Sequence, residues 1–150
     1  MINPDPNQQP ELETILQKAE EFHGHMGPFL VLGVRMSLAG LRELGVKETA
    51  ERIQVTIMTR PYTPFSCVID GVQVATHCTV GNKKLKLRSA QDISARFKAH
   101  NGKRVTISIN PSKLDELTKS LTNNCLPEEV EKLAEIIAST PEEELLTVKR

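Results

Sequence analysis

The stretch from Pro28 to Leu44 restricts the fold of this chain more than any other. Phe29, Leu30, Val31, Leu32, Val34, Met36, Leu38, Ala39 and Leu41 leave only Arg35, Ser37, Arg42 and Glu43 for water. A helix that is apolar almost all round has to be buried, against a sheet or against another subunit. Its limits are written locally. Pro28 suits the first helical position, where its missing N–H would have been unpaired anyway, and Gly45 suits the end. Gly33 and Gly40, seven apart, fall on one face and would let another backbone come close. The apolar run from Met26 stops at Arg35, well short of the ~20 residues of a membrane-spanning helix, so no membrane span is expected.

The rest of the chain supplies what this helix must be buried against. Residues 1–9, polar and proline-rich, read as a disordered lead, and 10–150 as one domain, a normal size for a chain of 150 residues. Leu12, Ile15, Leu16 and Ala19 predict a helix from Glu11 to about Phe22. Ile53, Val55 and Ile57 alternate with polar residues as in a strand. A proline-punctuated loop then delivers Ser66, an N-cap, to a helix of about Cys67–Cys78. Lys84–Arg88 reads as a short strand. Residues 93–99 and 105–109 form a hairpin with a type I′ turn at Asn101-Gly102. A helix over Pro127–Ala138 follows, then one opened by a capping box, Thr140-Pro141-Glu142-Glu143. The order predicts an α+β fold, a small mixed β-sheet covered by helices.

Nineteen Lys and Arg against nineteen Asp and Glu give a net charge of zero, so the protein as a whole offers no general attraction to nucleic acid or an anionic membrane. Lys83, Lys84, Lys86 and Arg88 read as a solvated strand face, because no aromatic residue interleaves them. With three cysteines and a polar, proline-rich Met1–Gln9 in place of a secretory pattern, a reducing cytoplasm is the expected setting. There is no glycine-rich phosphate loop, no H-E-x-x-H and no G-x-S-x-G, which disfavours the chemistries built on them.

Several residues could carry chemistry. His23 and His25 are two apart between glycines; in an extended segment both imidazoles can approach one ion, although loop histidines can equally well bond to backbone. Cys67, at the start of a helix, is where a thiol is most easily held as thiolate, the form that acts as nucleophile and metal ligand; a small buried hydrophobe is the alternative. Asp70, one turn on, either complements the helix dipole, orients a histidine or moves a proton. Cys78 lies too far along a continuous helix to share an ion with Cys67 in one subunit. It is either structural or, with His77 and the loop after it, completes a neighbouring subunit's site. Cys125 reads as packed or idle.

Phe22-His23-Gly24-His25-Met26-Gly27-Pro28-Phe29-Leu30-Val31-Leu32-Gly33, then Cys67-Val68-Ile69-Asp70-Gly71-Val72-Gln73, then Cys78-Thr79-Val80-Gly81-Asn82, resemble in type and order the formylmethanofuran dehydrogenase FmdE family over about residues 11–110. The resemblance implies an α+β core, a homodimer, and a metal-binding cleft built from the histidine motif and the first cysteine. It also implies association with a molybdenum or tungsten dehydrogenase, which in methanogenesis fixes carbon dioxide as a formyl group. Gly27 stands where many members carry a cysteine, and His77 where glycine is frequent. The cysteine-rich zinc module of longer relatives has no counterpart here. The expectation is a divalent transition metal held by His23, His25 and Cys67, zinc first and iron second, with Asp70 and Cys78 assisting. The competing expectations are a non-catalytic accessory or metal-delivery subunit, and a purely structural dimer.

Overall fold

In the computed structural model, which describes residues 8–46, 53–121 and 126–150, the chain runs α1 (Gln8–His23), α2 (Pro28–Leu44), β1 (Ile53–Thr59), α3 (Cys67–Thr76), β2 (Leu85–Ser89), β3 (Ser94–Ala99), β4 (Arg104–Ile109), α4 (Pro111–Leu121), α5 (Pro127–Ser139), α6 (Glu142–Leu145) and β5 (Leu146–Lys149). The strands form one sheet in the order β2-β1-β3-β4-β5. A parallel pair needs a crossover, and α3 provides it between β1 and β2. The remaining pairs are antiparallel. This is the expected α+β architecture with a mixed sheet.

Period-two patterning assigns the two faces of the sheet. Ile53, Val55, Ile57, Ala95, Phe97, Val105, Ile107 and Ile109 all point to one side and are buried. The residues between them are exposed or half-exposed. On the apolar side α2 packs against β3 and β4 and also against α3 and α5, while α1 packs on α2 and α3. This explains a helix apolar all round: Phe29, Leu32 and Met36 join the core over the sheet, whereas Leu30 and Val34 pack with Ala19 of α1.

Two glycines set how closely α2 and α3 approach. A Cβ on Gly33 would stand 2.2 Å from the Val68 carbonyl oxygen, and one on Gly71 would stand 2.4 Å from the Leu30 carbonyl oxygen. Both obstacles are backbone, so neither can swing aside. Gly40, expected to admit a backbone as well, instead admits the Phe97 ring, 2.5 Å from where a Cβ would be. Arg35 and Ser37 also depart from the expectation that they face water. Ser37 is buried and its hydroxyl donates to the Gly33 carbonyl at 2.8 Å. Arg35, half-buried, donates to the Ile137 carbonyl at 2.9 Å and to that of Thr140, so its guanidinium closes the C-terminus of α5.

Other local expectations yield to tertiary context. The helix expected over Cys67–Cys78 ends at Thr76, because His77 adopts a left-handed conformation (φ 62°) and its N–H caps the Gln73 carbonyl. Ser66 makes no side-chain cap. The hairpin is closed by residues 100–103, with the Ala99 N–H bonded to the Lys103 carbonyl and Gly102, at φ 91°, donating its N–H to the Ala99 carbonyl, instead of by a two-residue type I′ turn. Thr140 does not open a capping box: its hydroxyl donates back to the Ile136 carbonyl at 2.6 Å, and α6 begins only at Glu142. Helix α4 and strand β5 were not anticipated. Cys125 and residues 1–7 of the expected lead lie outside the described residues, while Gln8 and Gln9 already belong to α1.

The chain end is tied to α2 by charge. The Glu43 carboxylate bonds both Arg42 and Arg150, and Arg42 also pairs with Glu142 at 2.7 Å. Burial pushes the Glu43 carboxyl up, but the Arg150 and Arg42 guanidiniums outweigh it and hold it below its ordinary 4.5. A carboxyl more acidic in the fold than in the unfolded chain stabilises the fold above pH ~4.5 and loses that contribution as pH falls through its folded value.

Two expected outcomes follow from this packing. Gly33→Ala or Gly71→Ala should lower stability by about 2–3 kcal/mol or more, a fall in Tm of roughly 4–12 °C. Gly45→Ala, where nothing lies within 4 Å but φ is 68°, should cost only about 1 kcal/mol; thermal melts compare the three. Glu43→Gln should lower Tm at pH 7 by a small margin that narrows below pH ~4.5, as read from melts across pH.

Candidate functional site

The junction of α1 and α2 is where the histidine motif sits, and its geometry follows from one glycine. Gly24 takes φ 101° and its N–H bonds the Glu20 carbonyl at 2.8 Å, ending α1 and turning the chain. The turn brings the two imidazoles together, with ring centroids 4.6 Å apart and planes at 55°. They differ in environment, His23 being half-buried and His25 exposed. Gly27 and Pro28 then start α2, and the Val31 N–H bonds the Gly27 carbonyl.

Because α2 and α3 touch through their glycines, the first turn of α3 lies beside this junction. His23 Nδ1 and Asp70 Oδ2 are 2.6 Å apart, a contact between residues 47 positions apart in sequence. A carboxylate only accepts hydrogen bonds, so Nδ1 carries the proton and donates it. In the neutral ring the lone pair is then on Nε2. That atom is buried and, among the described residues, has no hydrogen-bond partner, a condition rare enough to call for a reason. Through this contact the Asp70 carboxylate is placed to orient the His23 ring.

The same junction borders a cavity of about 330 Å3 whose walls include His23, His25, Cys67, Thr63, Pro64 and Val130. Five sequence positions singled out for chemistry therefore divide. His23, His25 and Cys67 line one cavity, and Asp70 stands behind His23. Cys78 is not brought there: it follows the end of α3, is wholly buried in the core, and its thiol faces the Ile53 carbonyl at 3.8 Å. Leu121 of α4 and Val130 of α5 also line the cavity. Sequence reading missed them, although Leu114, Leu117 and Leu121 have helical spacing; a wall made of apolar side chains carries no chemical signature.

The expected thiolate at an open helix end is corrected by the turn before α3. The N–H groups of Cys67, Val68 and Ile69 bond the carbonyls of Pro64, Phe65 and Ser66, at 3.1, 3.3 and 3.0 Å. No free donors remain there to favour an anion. Burial, and then the Asp70 carboxylate, push the Cys67 thiol up, so the protein by itself keeps this sulfur protonated at neutral pH. A cation would have to displace that proton. Among the described residues, no three His, Cys, Asp or Glu side chains form a group already able to hold one ion.

Comparison with known proteins adds the context. A crystal structure of a tungsten formylmethanofuran dehydrogenase FmdE-like protein from Syntrophus aciditrophicus shares the fold, with a TM-score of 0.59 over 92% of this chain and 70% of that one, at 18% identity. A probable S-adenosyl-L-methionine-binding protein of Archaeoglobus fulgidus is 46% identical over 79 residues, 53% of this chain and 22% of the relative. The chain thus spans about a fifth of that relative's length. The family model described as FmdE, molybdenum formylmethanofuran dehydrogenase operon, matches residues 22–147, a range that takes in the histidine motif, both cysteine motifs and the whole sheet but for its last two residues. The chain belongs to the FmdE family.

Proposed function

We propose that the cavity at the α1–α2 junction is a metal site, and that His23, His25 and Cys67 are its protein ligands. The observation that carries the reading is the buried, unpartnered Nε2 of His23, whose ring is oriented from the other side by Asp70. Metal-binding histidines nearly always donate their second N–H in this way to a carboxylate or carbonyl, which fixes the tautomer and raises ligand basicity. His25 is exposed, with its ring centroid 4.6 Å from that of His23. Two imidazoles and a thiolate suit zinc, with iron next. The raised Cys67 thiol gives the ion a proton to release on binding.

When bound, an ion with three protein ligands and an open fourth position supplies a Lewis acid or an activated water. The residues of this chain do the rest. Asp70 holds the His23 proton at Nδ1, and Thr63, Pro64, Leu121 and Val130 contribute to the cavity wall. Phe22, Tyr62 and Leu126, exposed by 60%, 54% and 54%, belong to the same chain segments as the lining residues. They support a homodimer that covers the cavity mouth, as a cleft between subunits. An accessory or metal-delivering role beside a molybdenum or tungsten dehydrogenase uses the same site without turnover.

The name of the Archaeoglobus relative favours a second reading, S-adenosyl-L-methionine as the ligand, and a cavity of about 330 Å3 falls within the range of small-molecule sites. Isothermal titration separates the two. Protein stripped of metal should bind zinc with stoichiometry near one and release protons, and it should give no saturable heat with S-adenosyl-L-methionine. Asp70→Asn should weaken zinc binding by about 10–100-fold while preserving stoichiometry. His25→Ala and Cys67→Ser should remove stoichiometric metal in elemental analysis of the purified protein. Unchanged metal content in both variants would refute the ligand set.

A further inference from the structure

The sheet turns only one face to the helices, and the other carries an unbalanced charge. Lys86, Arg88, Arg96, Lys98, Arg104 and Lys149 alternate with the buried strand residues, so all six point to the open side, and all six are exposed. No aspartate or glutamate occurs in any of the five strands. Among the described residues, none of the six cations forms an ion pair; the pairs elsewhere include those of His23, Arg42, Lys113 and Arg150. The neutral total of the chain is therefore the sum of segregated parts, with the acids on helices and loops and a cationic plane on the sheet.

Register gives the plane its order. Lys86, Thr56, Arg96, Thr106 and Lys149 are successive cross-strand neighbours. At about 4.8 Å between strands, they make a row of alternating cations and hydroxyls roughly 19 Å long. A second line places Lys98 directly opposite Arg104. Like charges opposed across a ladder are unfavourable, and the central strands do not need them. Cations on edge strands discourage edge-to-edge association, which accounts for Lys86, Arg88 and Lys149. It does not account for Arg96, Lys98 and Arg104 on β3 and β4, where no edge is exposed. An anion laid across the face would relieve that repulsion.

The composition of the face selects the anion. Met58 is its one large apolar side chain; the rest, besides the cations, are hydroxyl and amide residues such as Thr56, Ser94 and Ser108. Protein–protein interfaces are apolar and depleted of charge at their centres, whereas interfaces with nucleic acid are more polar and much more positive. Single strands are gripped largely by base stacking on aromatic side chains, and no aromatic residue faces this side. A second copy of the chain cannot dock symmetrically here, since two cationic planes would meet. We propose that the open face of the sheet is a docking surface for the phosphate backbone of double-stranded nucleic acid, held without regard to base sequence. The hydroxyls bond phosphate oxygens between cations, the contact type that positions a duplex without reading it.

Fluorescence anisotropy with the full chain and a labelled DNA duplex of about 20 base pairs tests this. The expected Kd is about 1–100 µM near physiological salt, falling off by up to roughly 10^3-fold in affinity between 50 and 200 mM salt if all six cations contribute. Arg96→Gln/Lys98→Gln/Arg104→Gln should weaken binding at least tenfold and lower the salt slope by about 2–3. Lys18→Gln/Lys132→Gln, on exposed helix faces, should change it less than twofold. Lys86→Gln/Lys149→Gln, at the sheet edges, gives a second reading should the triple variant fold poorly, and should lower the slope by about 2. The proposal is overturned by absence of saturable binding at 50 mM salt, by variants that bind like the parent, by tighter binding of a single strand of the same length, or by a face that binds polyglutamate in preference to the duplex.

Discussion

The contact between the backbones of α2 and α3 is the constraint on which the rest of this molecule depends. Gly33 and Gly71 remove the side chains that would hold the two helices at a normal separation, and each faces a carbonyl of the other helix. Helix axes usually lie 8–10 Å apart, depending on the residues at the contact. Glycine at the crossing takes the approach to the short end of that range. Everything at the candidate site is downstream of that distance. Asp70 is in the turn that carries Gly71, and His23 precedes the helix that carries Gly33, so their 2.6 Å hydrogen bond exists because the helices are allowed to touch.

The site inherits a division of labour from this packing. One imidazole is rigid, its Nδ1 committed to a carboxylate and its Nε2 buried; the other is exposed and adjustable. The sulfur is neutral by default, since burial and the nearby carboxylate disfavour its anion and the start of α3 has no free N–H groups to offset them.

The sheet shows how net charge can mislead. A total of zero describes the field far from the protein, where the contributions cancel. Within about one Debye length, about 8–10 Å in physiological salt, the distribution governs, and period-two alternation collects the strand cations on one side. Single strands conceal this: Lys86 and Arg88 look like an ordinary solvated edge, and the pattern emerges only when Arg96, Lys98 and Arg104 are set beside them in register.

Much was readable in the one-dimensional chain, because local physics writes it there. The all-apolar α2, its proline start and glycine stop, the alternating strands and the spaced His-x-His and Cys-x-x-Asp motifs all belong to periodicities that short segments satisfy by themselves, and the family resemblance rested on the same motifs. Features that depend on distant partners were not readable. The four residues of β5 form a strand only because β4 offers an edge, Arg35 turns inward to meet α5 carbonyls more than a hundred positions away, and Cys78 leaves the helix for the core. The pairing of His23 with Asp70 and the shared cavity likewise required the fold, since nothing in the spacing of two segments states how closely their backbones will cross; that distance is set by the side chains both glycines lack.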